Sequence, residues 1–137
     1  MSDASRAPKL GTPRPLREKE VALIKKLLSA TAFAAKGAQL SGILVQDMSD
    51  GGMGSIRFCQ AASISDKRRL GSQIAEGAFR DVDGVPVSVT LNLDHQGELF
   101  ELDLFKGDFS KLINYPDPDD FEIIERHGKL GWPPRVS

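Results

Sequence analysis

The sequence predicts an α+β domain: an N-terminal amphipathic helix packed on an antiparallel β-meander of about five strands, with a short C-terminal helical or irregular segment. Three features predict it. Apolar residues recur at helical spacing across "PLREKEVALIKKLLSATAFAA". After Gly42 the apolar period drops to two. The glycine-bearing stretches "DGGMGS", "DVDG" and "DHQG" then divide the alternating segments.

Residues 1–15 carry three prolines, small residues and no periodic apolar pattern, the composition of a disordered arm. Next, Val21, Ile24, Leu28 and Ala32 fall at steps of three, four and four, with Leu27 widening the stripe. Glu18, Lys19, Lys25 and Lys26 take the other faces, which predicts a helix over about residues 16–35. Pro15 suits its first turn, Glu18 and Glu20 complement its positive end, and Gly37 is the expected stop.

"ILVQDMS" and "GSIRFCQ" flank the first glycine cluster and read as paired strands, and the polar residues 61–71 read as a loop. Val85, Val87, Val89, Leu91 and Leu93 then alternate with Pro86, Ser88, Thr90 and Asn92, the pattern of a strand with one buried face. "DHQG" places Gly97 at the end of a four-residue loop. Pairing Leu93 with Glu98 aligns Leu91 with Phe100, Val89 with Leu102 and Val87 with Leu104, all on one face. For the turn before it, a three-residue loop Val82-Asp83-Gly84 pairs Phe79 with Val87. That register buries the phenylalanine, worth roughly 1.5–3 kcal/mol over the two-residue alternative.

Beyond Lys106, a short helical or turn segment is expected near residues 108–114, interrupted by Pro116 and Pro118. Residues 119–126 leave helix and strand both open, and residues 127–137 read as a loose tail. A single domain over residues 16–126 results.

Length and composition fit this. A chain of 137 residues with 40% hydrophobic residues supports one continuous core. A net charge of −1 supplies no field that would attract nucleic acid or an anionic membrane. No apolar run approaches the roughly 20 residues needed to span a bilayer, and the N-terminus lacks a signal-peptide apolar stretch. The single cysteine, Cys59, cannot form an internal disulfide. The expectation is a cytoplasmic protein with no nucleic-acid or membrane partner.

Each chemical motif carries a structural alternative. "DGGMGS" follows a strand as a phosphate loop does, but a strand-like segment follows it and it lacks the Walker lysine. Gly51, Gly52, Gly54, Gly84 and Gly97 are therefore read as turn glycines. "DVDGV" and "DMSDG" each match part of a calcium loop, but the twelfth residue from Asp81 is Asn92, inside a strand. The expected registers set Glu76 opposite Thr90, Thr90 opposite Glu101, and Ser88 opposite Asp103, with Asn92 close by. Glu76, Glu101 and Asp103 then form an acidic patch on the polar sheet face. Such a face is either simply solvated or a surface for a basic partner. His95 and His127 have no neighbouring cysteine or histidine, and Cys59 reads as a small buried hydrophobe. "DKRR", residues 66–69, is too short a basic cluster to argue for nucleic acid. Trp132 in "GWPP" is either a docking motif or an anchor packing back onto the domain, with more weight on the second. No catalytic, cofactor-binding or metal-ligating residue is assigned.

Taken together, "REKEVALIKKLL", "DGGMGSIRF" and "IAEGAFRDVDGVPVSVTLNLDHQGELFELDLFKGDFSKLINYP" resemble a family of small, mostly bacterial proteins catalogued as a domain of unknown function, over about residues 16–116. The resemblance brings no activity, cofactor or site residue. Small α+β proteins of this size often act as immunity proteins in bacterial toxin systems, an analogy of layout. The leading expectation is a non-enzymatic domain that binds another protein, with an immunity-like inhibitor as its specific form. The alternative is a metal-dependent or small-molecule-binding enzyme using the sheet-face carboxylates. A homodimer formed through a strand edge is a third option.

Overall fold

The computed structural model describes residues 9–59 and 68–125. It is an α+β structure with strands β1 (Arg14–Pro15), β2 (Leu44–Asp47), β3 (Ile56–Phe58), β4 (Leu70–Arg80), β5 (Pro86–Asp94), β6 (Leu99–Lys106) and β7 (Glu122–Ile123). Helix α1 spans Glu18–Ser29, and 3₁₀ turns cover Ala34–Gln39 and Pro118–Asp120. The strands form one antiparallel sheet in the order β1-β2-β3-β6-β5-β4-β7. The five longer strands match the expected number, and two-residue strands border them. The order is not that of a pure meander, because β3 pairs with β6 rather than β4. Alternation fixes which face a side chain takes, not which strand lies next to it.

The apolar stripe of α1 covers one sheet face. Leu23, Ile24, Leu27 and Leu28 are buried in one cluster with Val45, Ile56, Phe58, Val87, Val89, Leu91, Leu102 and Leu104. The helix is shorter than the 16–35 expected and ends well before Gly37. Ser29 Oγ donates to Lys26 O and Thr31 Oγ1 to Leu28 O, while the Thr31 hydroxyl accepts from Phe33 N. These side chains take over the hydrogen bonds that another helical turn would have made.

Residues 9–15, expected within the disordered arm, instead border the sheet. Gly11 N donates to Asp47 O at 2.8 Å, Ser49 N donates to Lys9 O, and Arg14 pairs with Val45. Pro15 therefore belongs to an edge strand, which tolerates its missing donor, and not to the first helical turn. An ionic junction fixes this edge to α1. Glu20 is 1% exposed and accepts from Arg17 N at 2.8 Å. Arg14 bridges the Glu20 carboxylate (2.7 Å) and that of Asp47 (2.8 Å).

The β4–β5 register is the expected one: Phe79 faces Val87, and Asp81 N donates to Val85 O across the three-residue loop. The β5–β6 register differs by two residues, with Val87 opposite Lys106, Val89 opposite Leu104 and Leu91 opposite Leu102. A two-residue offset leaves each face unchanged, so hydrophobic pattern cannot detect it. Between Asn92–Glu101 and Leu93–Leu99 the ladder shifts, and Phe100 is the extra residue.

Of the helix or turn expected near residues 108–114, the structure has a turn at 107–109, closed by Phe109 N donating to Lys106 O, and an irregular course beyond it. In the stretch left open, the 3₁₀ turn Pro118–Asp120 is followed by a strand on β4 at residues 122–123. Leu70 and Gly71, expected in a loop, begin β4. Residues 60–67, which hold most of that loop, and residues 126–137, which hold the expected tail 127–137, lie outside the described residues. Phe121 closes the core over Gly77, where an added Cβ would lie 2.1 Å from the phenylalanine Cζ. Lys26 Nζ holds this segment by donating to Phe121 O at 2.6 Å.

At the end of the core the Lys106 ammonium is fully buried. It donates to Asp81 Oδ2 and Asp83 Oδ2, each at 2.8 Å, and to Lys111 O at 3.0 Å. Asp81 also accepts from the backbone of Val82, Ile113 and Asn114. Burial alone would raise its pKa, but Lys106 and these N–H groups hold it at about 2.

Two outcomes follow from this packing. Gly77→Ala should destabilise the protein by about 1–3 kcal/mol in urea unfolding, through overpacking against Phe121. Lys106→Met keeps the stem but removes the charge from Asp81, and should lower the urea midpoint and open residues 107–114 to limited proteolysis. An unchanged cleavage pattern would show that something else holds that segment.

Candidate functional site

The sheet face opposite α1 is built by the other half of the alternation. Three rows of side chains cross it. Gln73, Asn92, Glu101, Arg57 and Gln46 align across five strands. Glu76, Thr90 and Asp103 form the next row, and Ala78, Ser88 and Phe105 the third.

The expected patch is therefore assembled, with changed neighbours. Glu76 does face Thr90, but Thr90 faces Asp103, not Glu101. Ser88 faces Phe105, not Asp103, because of the two-residue offset. Nor is the patch purely acidic. Arg57 donates through Nε to Glu101 Oε2 at 2.9 Å and through Nη2 to the same oxygen. Asn92 Nδ2 donates to Asp103 Oδ2 at 2.8 Å. Burial and the adjacent Glu101 push the Asp103 pKa up to about 6.

Phe100 is 4% exposed, yet it stands outside the core cluster. Its ring lies under the guanidinium groups of Arg57 and Arg68, at 4.7 and 5.1 Å. Arg68 is held by Asp94 Oδ2 (2.9 Å), Phe58 O (2.7 Å) and Leu99 O (2.6 Å). One arginine of "DKRR" is thus a bracket inside the fold and not a free basic contact.

At the far end of the face, Phe105 and Phe109 are 46% and 69% exposed, with rings 5.0 Å apart and nearly perpendicular. Phe109 has φ of +66°, a left-handed conformation that costs a side-chain-bearing residue roughly 1–2 kcal/mol. Asp108 Oδ1 supports that turn by accepting from Ser110 N (3.0 Å) and Ser110 Oγ (2.6 Å). Sequence reading missed Arg57 and the aromatic pair, and it placed Phe100 on the apolar face opposite Leu91, whereas the bulge turns that ring to the open face under Arg57. Alternation alone would have put Phe105 on the polar face.

The glycine cluster makes a different structure from a phosphate loop. Gly51, Gly52 and Gly54 have φ of +80°, +83° and +103°. The Met53 and Ser55 N–H groups both point at the Asp50 carboxylate, each at 3.0 Å. The turn's own aspartate thus occupies the place an anion would take. Its carbonyls are used too: Leu112 N donates to Gly52 O, and Tyr115 Oη to Gly54 O at 2.7 Å.

In the same way the calcium-like "DVDG" directs both aspartates at Lys106. Among the described residues no group of three or more His, Cys, Asp or Glu side chains is arranged to hold a metal. His95 Nδ1 accepts from Arg69 N at 3.4 Å. Cys59 is half-buried, and burial raises its thiol pKa. No helix among the described residues is long and apolar enough to cross a membrane.

These strands and turns fall within one family. A family model described as a domain of unknown function, DUF6984, matches residues 13–116. The chain belongs to this family. No curated protein and no solved structure matches it. The DUF6984 match takes in β1 and the whole open face, and ends before Phe121 and β7.

A cleft of about 780 Å³ straddles that family boundary, between the β4–β5 turn and residues 114–122. Val82, Pro86 and Pro116 give it apolar walls, and Asp119, Asp120 and Glu122 give it an acidic rim. Asp117 there pairs with Lys19 at 3.3 Å.

The raised Asp103 pKa has a defined sign in stability. The native state holds this proton more tightly than the unfolded chain does. Its contribution is therefore complete below the ordinary value of 3.8 and is lost as pH rises through about 6. Asp103→Asn should gain on the parent by about 1 kcal/mol between pH 4 and pH 7, a figure reduced for solvent screening. Urea midpoints across that range measure it, and a constant gap between the two proteins would contradict it.

Proposed function

We propose that this chain is a non-enzymatic protein-binding domain of the bacterial cytoplasm, and that the open sheet face is its contact surface. The Phe105–Phe109 pair carries the proposal. Two neighbouring aromatic rings are exposed, one on strained backbone, where the fold gains nothing from their exposure. Exposed aromatics beside charged groups are what interface hot spots are made from. Glu76, Ser88, Thr90, Asn92, Glu101 and Asp103 supply the polar ground next to them. Carboxylates outnumber Arg57 in that group, so a partner with basic side chains around an apolar pocket fits best. Inhibition of a toxin-like partner, in the manner of an immunity protein, is the specific form this takes.

A second reading rests on Asp103. A carboxyl titrating near 6 beside the Glu101 carboxylate is an arrangement that acid–base chemistry can use. The calorimetric response to divalent cations and nucleotides separates the two readings, since a binding domain gives no heat with either.

A photo-crosslinking residue at Thr90 should capture a discrete partner in cells, and one at exposed Lys25 on α1 should not. Phe105→Ser combined with Phe109→Ser should abolish that capture while the circular dichroism stays unchanged. Capture that survives the double substitution would remove the aromatic pair from the interface.

A further inference from the structure

We propose that the open sheet face receives an arginine side chain of its partner, the guanidinium lying on the Phe105–Phe109 rings with its N–H groups on the Asp103 carboxylate. This rests on the reading of that face as a contact surface, and it names the group the face selects. Position comes first. Asp103 and Phe105 are two residues apart on β6, so their side chains leave the same face about 7 Å apart. A guanidinium stacked on the ring at cation–π distance reaches a carboxylate at that spacing. The Phe105 and Phe109 rings meet nearly at right angles. Such an edge-on contact uses one ring face only, and the exposure of both residues leaves the other faces open to a cation.

The fold already holds one guanidinium in this way. Arg57 lies 4.7 Å over the Phe100 ring while its Nε donates to Glu101 Oε2 at 2.9 Å. Asp103 and Phe105 repeat that combination of carboxylate and ring farther along the same strand. Among the described residues Asp103 forms no ion pair. Arg57 is engaged by Glu101, and Arg80, farther along the face, donates to Gly84 O. The Asp103 carboxylate accepts instead from the neutral Asn92 amide, at Oδ2.

Charge points the same way. Burial and the adjacent Glu101 oppose ionisation of Asp103, Asn92 and Arg57 favour it, and the balance falls at about 6. Thr90 and Glu76 complete its row on β5 and β4. A cation set against this carboxylate offsets the repulsion from Glu101, and it binds best once Asp103 has lost its proton. Arginine suits the place better than lysine. Its planar group stacks on a ring and donates in a fixed fork, whereas an ammonium is compact and strongly hydrated.

The probe is N-acetyl-arginine methylamide, titrated into the isotope-labelled full chain and followed by NMR at the Asp103 carboxyl carbon and the Phe105 and Phe109 rings. All three should shift along one binding curve, with an affinity about fivefold above that of the lysine analogue. Asp103→Asn and Phe105→Leu should each remove that preference, and their amide spectra check that they fold. In the parent chain the affinity should fall as pH drops from about 7 to about 5, and in Asp103→Asn it should stay level. Equal affinity for the two amides, an affinity in the parent that ignores pH, or shifts centred instead on the cleft of Asp119, Asp120 and Glu122 would overturn the proposal. So would the same shifts appearing without probe as protein concentration rises, which would assign the face to a second copy. Absence of any shift overturns it too, and capture by the Thr90 crosslinker that persists then leaves the contact surface standing, so the two failures are told apart.

Discussion

A buried ammonium sets the condition that the rest of this structure meets. Taking the Lys106 charge out of water is tolerable only if carboxylates and carbonyls surround it. Asp81 and Asp83 come from the β4–β5 turn, and the Lys111 carbonyl from the segment after β6. Asp81 then gathers the N–H groups of Ile113 and Asn114. This fixes residues 107–114 across the end of the sheet and sets Leu112 and Tyr115 over the glycine cluster. An added Cβ on Gly54 would lie 3.0 Å from Leu112 Cδ2, and Tyr115 Oη donates to the Gly54 carbonyl. The glycines are needed twice, for positive φ and for room. A motif that resembles a ligand loop is thus the floor for a segment anchored by an ion pair.

The two sheet faces are solved by different physics. Helix α1 covers one by burial of aliphatic side chains. The other stays open, and its polar groups are partnered: Arg57 with the Glu101 carboxylate, the Asn92 amide with Asp103, and both arginines over the Phe100 ring. A face so compensated gains solubility without a helix. The exposed aromatic pair is the exception, which is why the proposed contact surface centres on it.

Legibility in the sequence follows range. The apolar stripe of α1, the paired strands around "DGGMGS" and the Val85–Leu93 alternation are local patterns, and each marks a real element. The Phe79–Val87 register was readable because a one-residue slip would have exposed a phenylalanine. The β5–β6 register was not, because an offset of two preserves the face of every residue from Glu101 to Lys106. Residues 9–15 lack a pattern because a narrow edge needs only backbone pairing, which no side chain advertises. At the site, Glu76, Thr90, Asn92, Glu101 and Asp103 share a face as alternation requires. Arg57 escaped notice because β3 is three residues long and its neighbour β6 is 44 positions away. Pattern in one strand carries no information about a partner so distant.

The bulge at Phe100 joins the fold to the site. Asp94 Oδ1 accepts from Gln96 N and Glu98 N, which closes the β5–β6 loop at a fixed length. Arg68 grips Asp94 on one side and the carbonyls of Leu99 and Phe58 on the other, so it spans the point where the extra residue enters. That extra residue helps bring Glu101 opposite Asn92 and beside Arg57, and Asp103 opposite Thr90. The expected register, with no bulge, would have put Glu101 opposite Thr90. Arg68 is bonded to Asp94 and not to Glu101 or Asp103, yet the neighbours of those two depend on where it holds the hairpin. A basic residue that looks from the sequence like a surface contact is, in the fold, what sets the geometry of the acidic face.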